Sequence, residues 1–141
     1  MDDRPKGLID TGAIVAFLDR KDKWHRRCVE VFEDIPLPLA TSPAVLAEVF
    51  HLLGQNPRHR DAVWELFRTA SITLLPIGDE DLSSLEALMT RYEDRPMDFA
   101  DATLVHLARR ENLATVFTID HDDFETYRID GRRPFQIVPS R

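Results

Sequence analysis

"KGLIDTGAIVAFLD", residues 6–19, places an aspartate between two apolar runs: Gly7–Ile9 before Asp10, and Ala13–Leu18 after Thr11-Gly12. The first run reads as a short strand, Lys6 to Asp10. The second reads as a helix from Thr11 to Leu18, whose start Thr11 can cap. Three chemistries are compatible with an aspartate at such a junction. Asp-Thr-Gly behind a strand is how an aspartic protease presents its carboxylate. A strand ending in Asp is also how several phosphate-handling enzymes hold a divalent metal. In the plainest reading Asp10 only caps the helix.

The elements that follow choose among these. Lys23–Asp34 has helical spacing, with Trp24, Cys28, Val31 and Phe32 on one side. "LPLATS" predicts a strand running into Ser42 as N-cap, with Pro43 at the first helical position. The helix Pro43–Leu53 stops at Gly54 and the Asn56-Pro57 turn, and Arg58–Ala70 makes another. "SITLLPI" predicts a buried strand, and Asp79–Tyr92 an amphipathic helix with the stripe Leu82, Leu85, Met89 and Tyr92. Met97–Glu111 is again helical, "ATVFTID" is a strand, "HDDFETYRIDGRR" is irregular, and "PFQIVP" supplies an edge strand. Four or five strands alternating with helices predict an α/β fold, a mainly parallel sheet covered on both faces. A retroviral-type aspartic protease is nearly all β, so the protease reading fails.

The chain of 141 residues, 43% hydrophobic and 30% charged, falls at the size of one globular domain, residues 1–141. Ala13–Leu18 is the longest apolar run, too short to cross a bilayer, and the N-terminus lacks the layout of a signal peptide. A lone cysteine, Cys28, excludes an intrachain disulfide and a cysteine-based zinc cage. A cytoplasmic location without membrane association follows as the expectation. A net charge of −7 argues against a general duplex-binding protein. It leaves a nuclease open, because clustered carboxylates that bind metal add to the negative count.

The acids fall in telling places. In a parallel α/β sheet, ligands bind beyond the carboxyl ends of the strands, where Asp10 and Asp120 are expected. Glu48, three residues after Val45 and four before Leu52, lies on an apolar stripe with Val49. Asp101, three before Leu104, shares the stripe Met97, Ala100, Leu104, Leu107 and Ala108, and Asp98 lies beside it. Single acids on a core stripe are commonly structural. Four carboxylates aimed at one place repel one another unless a cation is present, and hard oxygen donors suit Mg²⁺ or Mn²⁺.

"LIDTGAIVAFLDRKDKWH", "SPAVLAEVFHLL", "PMDFADATLVHLA" and "VFTIDHDDF", in this order, resemble the motifs of PIN-domain ribonucleases, specifically the VapC-type toxins of toxin–antitoxin pairs. The resemblance spans almost the whole chain. It implies a PIN-like three-layer α/β/α sandwich and metal-dependent endonucleolytic hydrolysis of RNA. It implies an acidic quartet of Asp10, Glu48, Asp101 and Asp120, with Asp98 and Asp123 of second rank. Asp10 and Asp101 are expected as direct metal ligands, and Thr11 and Thr118 match small hydroxyl positions that brace the site. A cognate antitoxin and a homodimer are the implied partners.

Competing readings are a PIN nuclease that is not a toxin, a catalytically silent PIN scaffold, and a haloacid dehalogenase-type phosphatase. The last needs a second Asp two residues after the first, where this chain has Gly12. His25, His51, His59, His106 and His121 show no zinc spacing, and His121 reads as a solvated loop residue. Arg58, Arg60, Arg91, Arg95, Arg109 and Arg110 read mainly as solvated helix ends, and Arg132 and Arg133 as loop charges. Trp24, Phe32, Trp64 and Phe67 read as core or partner surface rather than base-stacking platforms, and Leu66 as spare apolar surface for a partner.

Overall fold

The computed structural model describes residues 2–95 and 97–141; Met1 and Pro96, the latter within the third quoted motif, lie outside the described residues. Five strands, β1 (Gly7–Ile9), β2 (Leu39–Thr41), β3 (Ile72–Leu74), β4 (Thr115–Phe117) and β5 (Gln136–Val138), form one sheet in the order β3-β2-β1-β4-β5. Every pairing is parallel. Between the strands run α1 (Thr11–Leu18), α2 (His25–Asp34), α3 (Pro43–Leu53), α4 (Pro57–Arg68), α5 (Leu82–Arg91), α6 (Phe99–Arg110) and α7 (His121–Thr126). The result is the α/β/α architecture that the alternation predicts. Among the described residues no helix is long and apolar enough to cross a membrane.

The central strands are covered on both faces, so they are uniformly apolar rather than alternating. Leu8, Ile9, Leu39, Ala40, Val116 and Phe117 have no solvent exposure. β1 and β4 are neighbours, and the Asp10 N–H donates to the Phe117 carbonyl at 3.2 Å. The chain therefore leaves both central strands at one edge of the sheet, carrying Asp10 and the Thr118–Asp120 segment with it.

Four local features differ from the sequence reading. The α1 cap is Asp10, not Thr11: the Ala13 N–H donates to Asp10 Oδ1 at 2.9 Å. β3 is an edge strand in which only Ile72 is buried and Leu74 is 42% exposed, so its apolar sequence does not signal burial on both faces. Asp79–Asp81 form a 3₁₀ turn before α5, and the predicted stripe is only partly inward, with Leu85 buried but Leu82 and Met89 exposed. "HDDFET" is helical, because the Asp120 side chain caps α7 by accepting from the Asp123 N–H at 3.2 Å. Of the four apolar residues read as core or partner surface, only Trp64 is exposed. Leu66, read as spare surface, is buried, Phe32 stacks on Phe17 at 4.4 Å, and Trp24 packs beside His121.

A buried hydroxyl chain ties α3 to α6. Thr103 Oγ1 donates to the Ala100 carbonyl at 2.6 Å, so its 2.7 Å contact with Ser42 must be a bond that Ser42 Oγ donates. Ser42 Oγ in turn accepts from the Val45 N–H, capping α3. Thr103→Val keeps the shape and strands the Ser42 proton out of water. It should cost about 1–3 kcal/mol in denaturant unfolding, with the far-UV spectrum unchanged.

Candidate active site

The N-terminus of α1 attracts negative charge, which favours a carboxylate at Asp10. Oδ1 takes the Ala13 N–H, and Oδ2 accepts a hydrogen bond from Thr118 Oγ1, just past β4. Asp10 is 6% exposed. Thr118 Oγ1 also accepts from the Asp120 N–H at 2.9 Å, so one hydroxyl orients two acidic segments. From α3, half-buried Glu48 accepts at Oε1 from Thr11 Oγ1 at 2.6 Å. Its stripe runs through Val45, Val49 and Leu53; Leu52 points to solvent at 59% exposure. Asp101, in the first turn of α6, accepts at Oδ2 from Tyr127 Oη at 3.0 Å.

The second-rank acids are occupied locally. Asp98 caps α6, accepting from the Asp101 N–H at 2.7 Å. Asp123 pairs with Arg95 at 3.1 Å, and Arg95 also donates to Thr126 Oγ1 at 2.6 Å.

Electrostatics joins these groups. Burial raises the Asp10 carboxyl to about 6, with Asp120 and Glu48 adding repulsion and the Thr118 and Ala13 bonds opposing it. Burial pushes Asp101 up to about 8, helped by repulsion from Asp98, Asp10 and Asp123 and opposed by the Tyr127 bond. Asp123 is raised by burial first, then by its contact with Asp120. Asp10 thus lies within Coulomb reach of Glu48, Asp101 and Asp120, although the four come from separate segments of the chain.

The donor set is all carboxylate oxygen with hydroxyls behind it, which suits a hard divalent cation and not zinc in a nitrogen–sulfur cage. Among the described residues, no group of three or more His, Cys, Asp or Glu side chains is arranged to hold a metal ion as it stands. The hydrogen bonds supply a physical reason: mutually repelling carboxylates turn to the nearest hydroxyls, Asp10 to Thr118, Glu48 to Thr11 and Asp101 to Tyr127.

Tyr127 is the site residue that sequence reading missed. It is buried, stacks edge-on against Phe124 and Tyr92, and its hydroxyl is raised by burial and by Asp101. A tyrosine in a segment read as irregular carries no periodic signal. His121 is a correction of the opposite kind: it is 7% exposed, and its Nε2 lies 2.7 Å from the Pro139 carbonyl.

The sequence pattern of the PIN domain matches residues 7–130. Ribonuclease VapC26 of Mycobacterium tuberculosis is 28% identical over 135 residues, covering 94% of this chain and 99% of its own length. Among solved structures, VapC20 of M. tuberculosis, a toxin that cleaves the sarcin–ricin loop, superposes with a TM-score of 0.71 at 22% identity, over 82% of this chain and 90% of its own. A toxin–antitoxin complex from Klebsiella pneumoniae gives 0.65 at 21%, over 85% and 91%. VapBC2 from Rickettsia felis, bound to a fragment of its promoter DNA, gives 0.64 at 15%, over 92% and 96%. At these identities the structures attest to the fold.

The raised carboxyls make a pH prediction. Unfolded, Asp10 and Asp101 titrate near 3.8; folded, near 6 and 8. Between those values the folded state binds more protons, so their contribution to metal-free stability falls as pH rises from about 4 to about 8. In chelator at pH 8, Asp101→Asn should unfold with a stability about 1–3 kcal/mol above the parent. The difference should vanish near pH 4, as read by thermal melts across the range.

Proposed function

The chain belongs to the PIN-domain family, and from that premise we propose that it is a divalent-metal-dependent endoribonuclease acting as the toxin of a toxin–antitoxin pair. The observation that supports the reading is that Asp10, buried at the carboxyl edge of the parallel sheet, lies within Coulomb reach of Glu48, Asp101 and Asp120. Two of them have carboxyls raised by burial and mutual repulsion. A haloacid dehalogenase-type phosphatase drops out with the family assignment. The curated relative is a ribonuclease, and three of the solved relatives are toxins or toxin–antitoxin complexes, which supports RNA and an antitoxin as partners.

In this mechanism Asp10 and Asp101 would hold Mg²⁺ or Mn²⁺ directly, and Glu48 and Asp120 would complete the site, directly or through water. When bound, the metal neutralises the scissile phosphate and acidifies water. The chain's own residues do the positioning. Thr118 and the Ala13 N–H fix the two oxygens of Asp10, Tyr127 fixes Asp101, and Thr11 fixes Glu48. Asp120 is exposed and spends only Oδ1 on capping α7, which leaves Oδ2 for the metal or one of its waters. No side chain serves as a covalent nucleophile. RNA as the substrate puts the activity in the cytoplasm.

Partner surfaces extend the reading. Phe50 packs on Trp64 at 4.9 Å, and Trp64 and Leu52 expose an apolar face on α3 and α4, the helix pair that carries Glu48. An antitoxin helix lies on this face, and an arginine from it pairs with Asp10 or Asp101 in place of metal. Leu82, Met89 and Phe99 expose a second apolar face on α5 and α6, which serves the homodimer.

Purified protein should cleave single-stranded RNA in Mg²⁺ or Mn²⁺ and stop in EDTA. Asp10→Asn and Asp101→Asn should each cut the rate on the order of 100-fold or more with melting retained; wild-type rates in both variants would remove them from the site. Light scattering should give twice the 16.3 kDa chain mass, and Leu82→Glu with Met89→Glu should return the monomer. Expression in bacteria should arrest growth, and co-expression of the neighbouring gene should restore it.

A further inference from the structure

A cavity of about 370 Å³ opens between α5, α6 and the turn at Gly131. Ser84, Arg91, His106, Arg109, Asp130 and Gly131 line it. Its size is in the usual range for sites that accept small polar groups.

Two of its cations have no carboxylate partner among the described residues. Arg95, Arg110, Arg133 and Arg141 are each tied to a carboxylate. Arg91 and Arg109 are not: among the described residues neither guanidinium has a carboxylate within 4.0 Å. Asp130, the one acid in the lining, is turned to Arg133 at 3.0 Å. Two uncompensated guanidiniums at one cavity of a chain with net charge −7 repel each other and attract an anion.

Arg91, itself exposed, also lies against the turn. Gly131 has φ +81, and a Cβ built on it would lie 2.6 Å from the Arg91 Nη1, so the guanidinium rests on backbone that only glycine leaves clear. The lining contains an unsatisfied polar atom as well. His106 is 7% exposed and its Nε2 lies 2.7 Å from Asp81 Oδ1. The Asp81 carboxyl is held low by the Gly78 N–H, then by His106 and Arg110, so it accepts and Nε2 donates. Nδ1 is left buried without a partner. Buried polar atoms are normally satisfied; in this tautomer Nδ1 is an acceptor, so the atom it calls for is a donor such as water, and the grip on an anion falls to the two arginines.

The cavity is lined by the C-terminal half of α6, the helix whose first turn carries Asp101. Val105 and Arg109 follow Asp101 by four and eight residues, which places them along one side of the helix, Arg109 about 12 Å further on. We propose that this cavity is a subsite for a backbone phosphate of the RNA strand away from the scissile one, gripped by Arg91 and Arg109. The assignment rests on the ribonuclease reading above. Arginine forks match phosphate oxygens bidentately, and phosphate contacts of this kind set register without reading bases.

The test uses the full chain in EDTA, where cleavage is off, with a short fluorescein-labelled single-stranded oligoribonucleotide as probe. Anisotropy is read across a salt series for the parent, for Arg91→Gln with Arg109→Gln, and for Arg58→Gln with Arg68→Gln, which removes the same charge from α4. The cavity variant should bind about tenfold more weakly, with a salt slope shallower by about 0.7, the share of one phosphate on a single strand. The α4 variant should match the parent. In Mg²⁺ the cavity variant should raise KM and leave kcat within about twofold, as loss of uniform binding does. Equal affinity and slope in parent and cavity variant, with RNA still cleaved, would overturn the subsite and leave the nuclease intact. A parent that neither binds nor cleaves RNA would overturn both.

Discussion

Asp10 sits at the junction of β1 and α1, where a helix N-terminus and a hydroxyl take its two oxygens while the core removes water from around it. Those bonds favour the charged carboxylate and burial disfavours it; burial prevails, and the group titrates at about 6. The balance matters because every other acid of the cluster is arranged around this one. Glu48 and Asp120 both raise Asp10, and Asp10 raises Asp101. A fold that gathers this much negative charge without a cation carries a standing repulsion. The hydroxyls of Thr11, Thr118 and Tyr127 stabilise it one oxygen at a time.

The rest of the architecture keeps the repelling groups from moving apart. The parallel order puts β1 next to β4, so Asp10 and Thr118 cannot separate without breaking the sheet. The Val45–Ser42–Thr103–Ala100 hydrogen-bond chain fastens the helix of Glu48 to the helix of Asp101, out of solvent. Tyr127, packed between Phe124 and Tyr92, brings the segment after α7 up to Asp101. Strand order, a buried hydroxyl relay and an aromatic stack thus serve a single purpose: holding carboxylates where they would not otherwise stay. On the proposed reading that stored repulsion is what a divalent cation relieves.

How much of this was legible in the sequence follows from signal length. Ser42-Pro43 and Gly54 bracket α3 as the capping rules predict, and the stripe through Ala100, Leu104 and Leu107 marks the buried side of α6. An acid on such a stripe stands out, so Glu48 and Asp101 drew notice from spacing, although Leu52, one of the residues that framed Glu48, is exposed and the grouping of the acids came from the family resemblance. Asp10 was legible as a strand end, although its role as the α1 cap was given to Thr11. What escaped lies in short or irregular segments. The six residues of α7 are too few to show a period, so Tyr127 and the burial of His121 went unseen. The exposed Leu82 and Met89 fit an amphipathic stripe as well as buried residues would, since periodicity reports a face and not what covers it.

The account turns on whether the carboxylates at the sheet edge are raised by burial and by one another, and relaxed by a cation. Carbon-detected NMR titration of the Asp10 and Asp101 carboxyls, with and without Mg²⁺, measures this directly. The account predicts midpoints near 6 and 8 without metal, both moving down by about two pH units or more at saturating Mg²⁺. Midpoints near the ordinary aspartate value without metal, or raised midpoints that Mg²⁺ leaves in place, would contradict it.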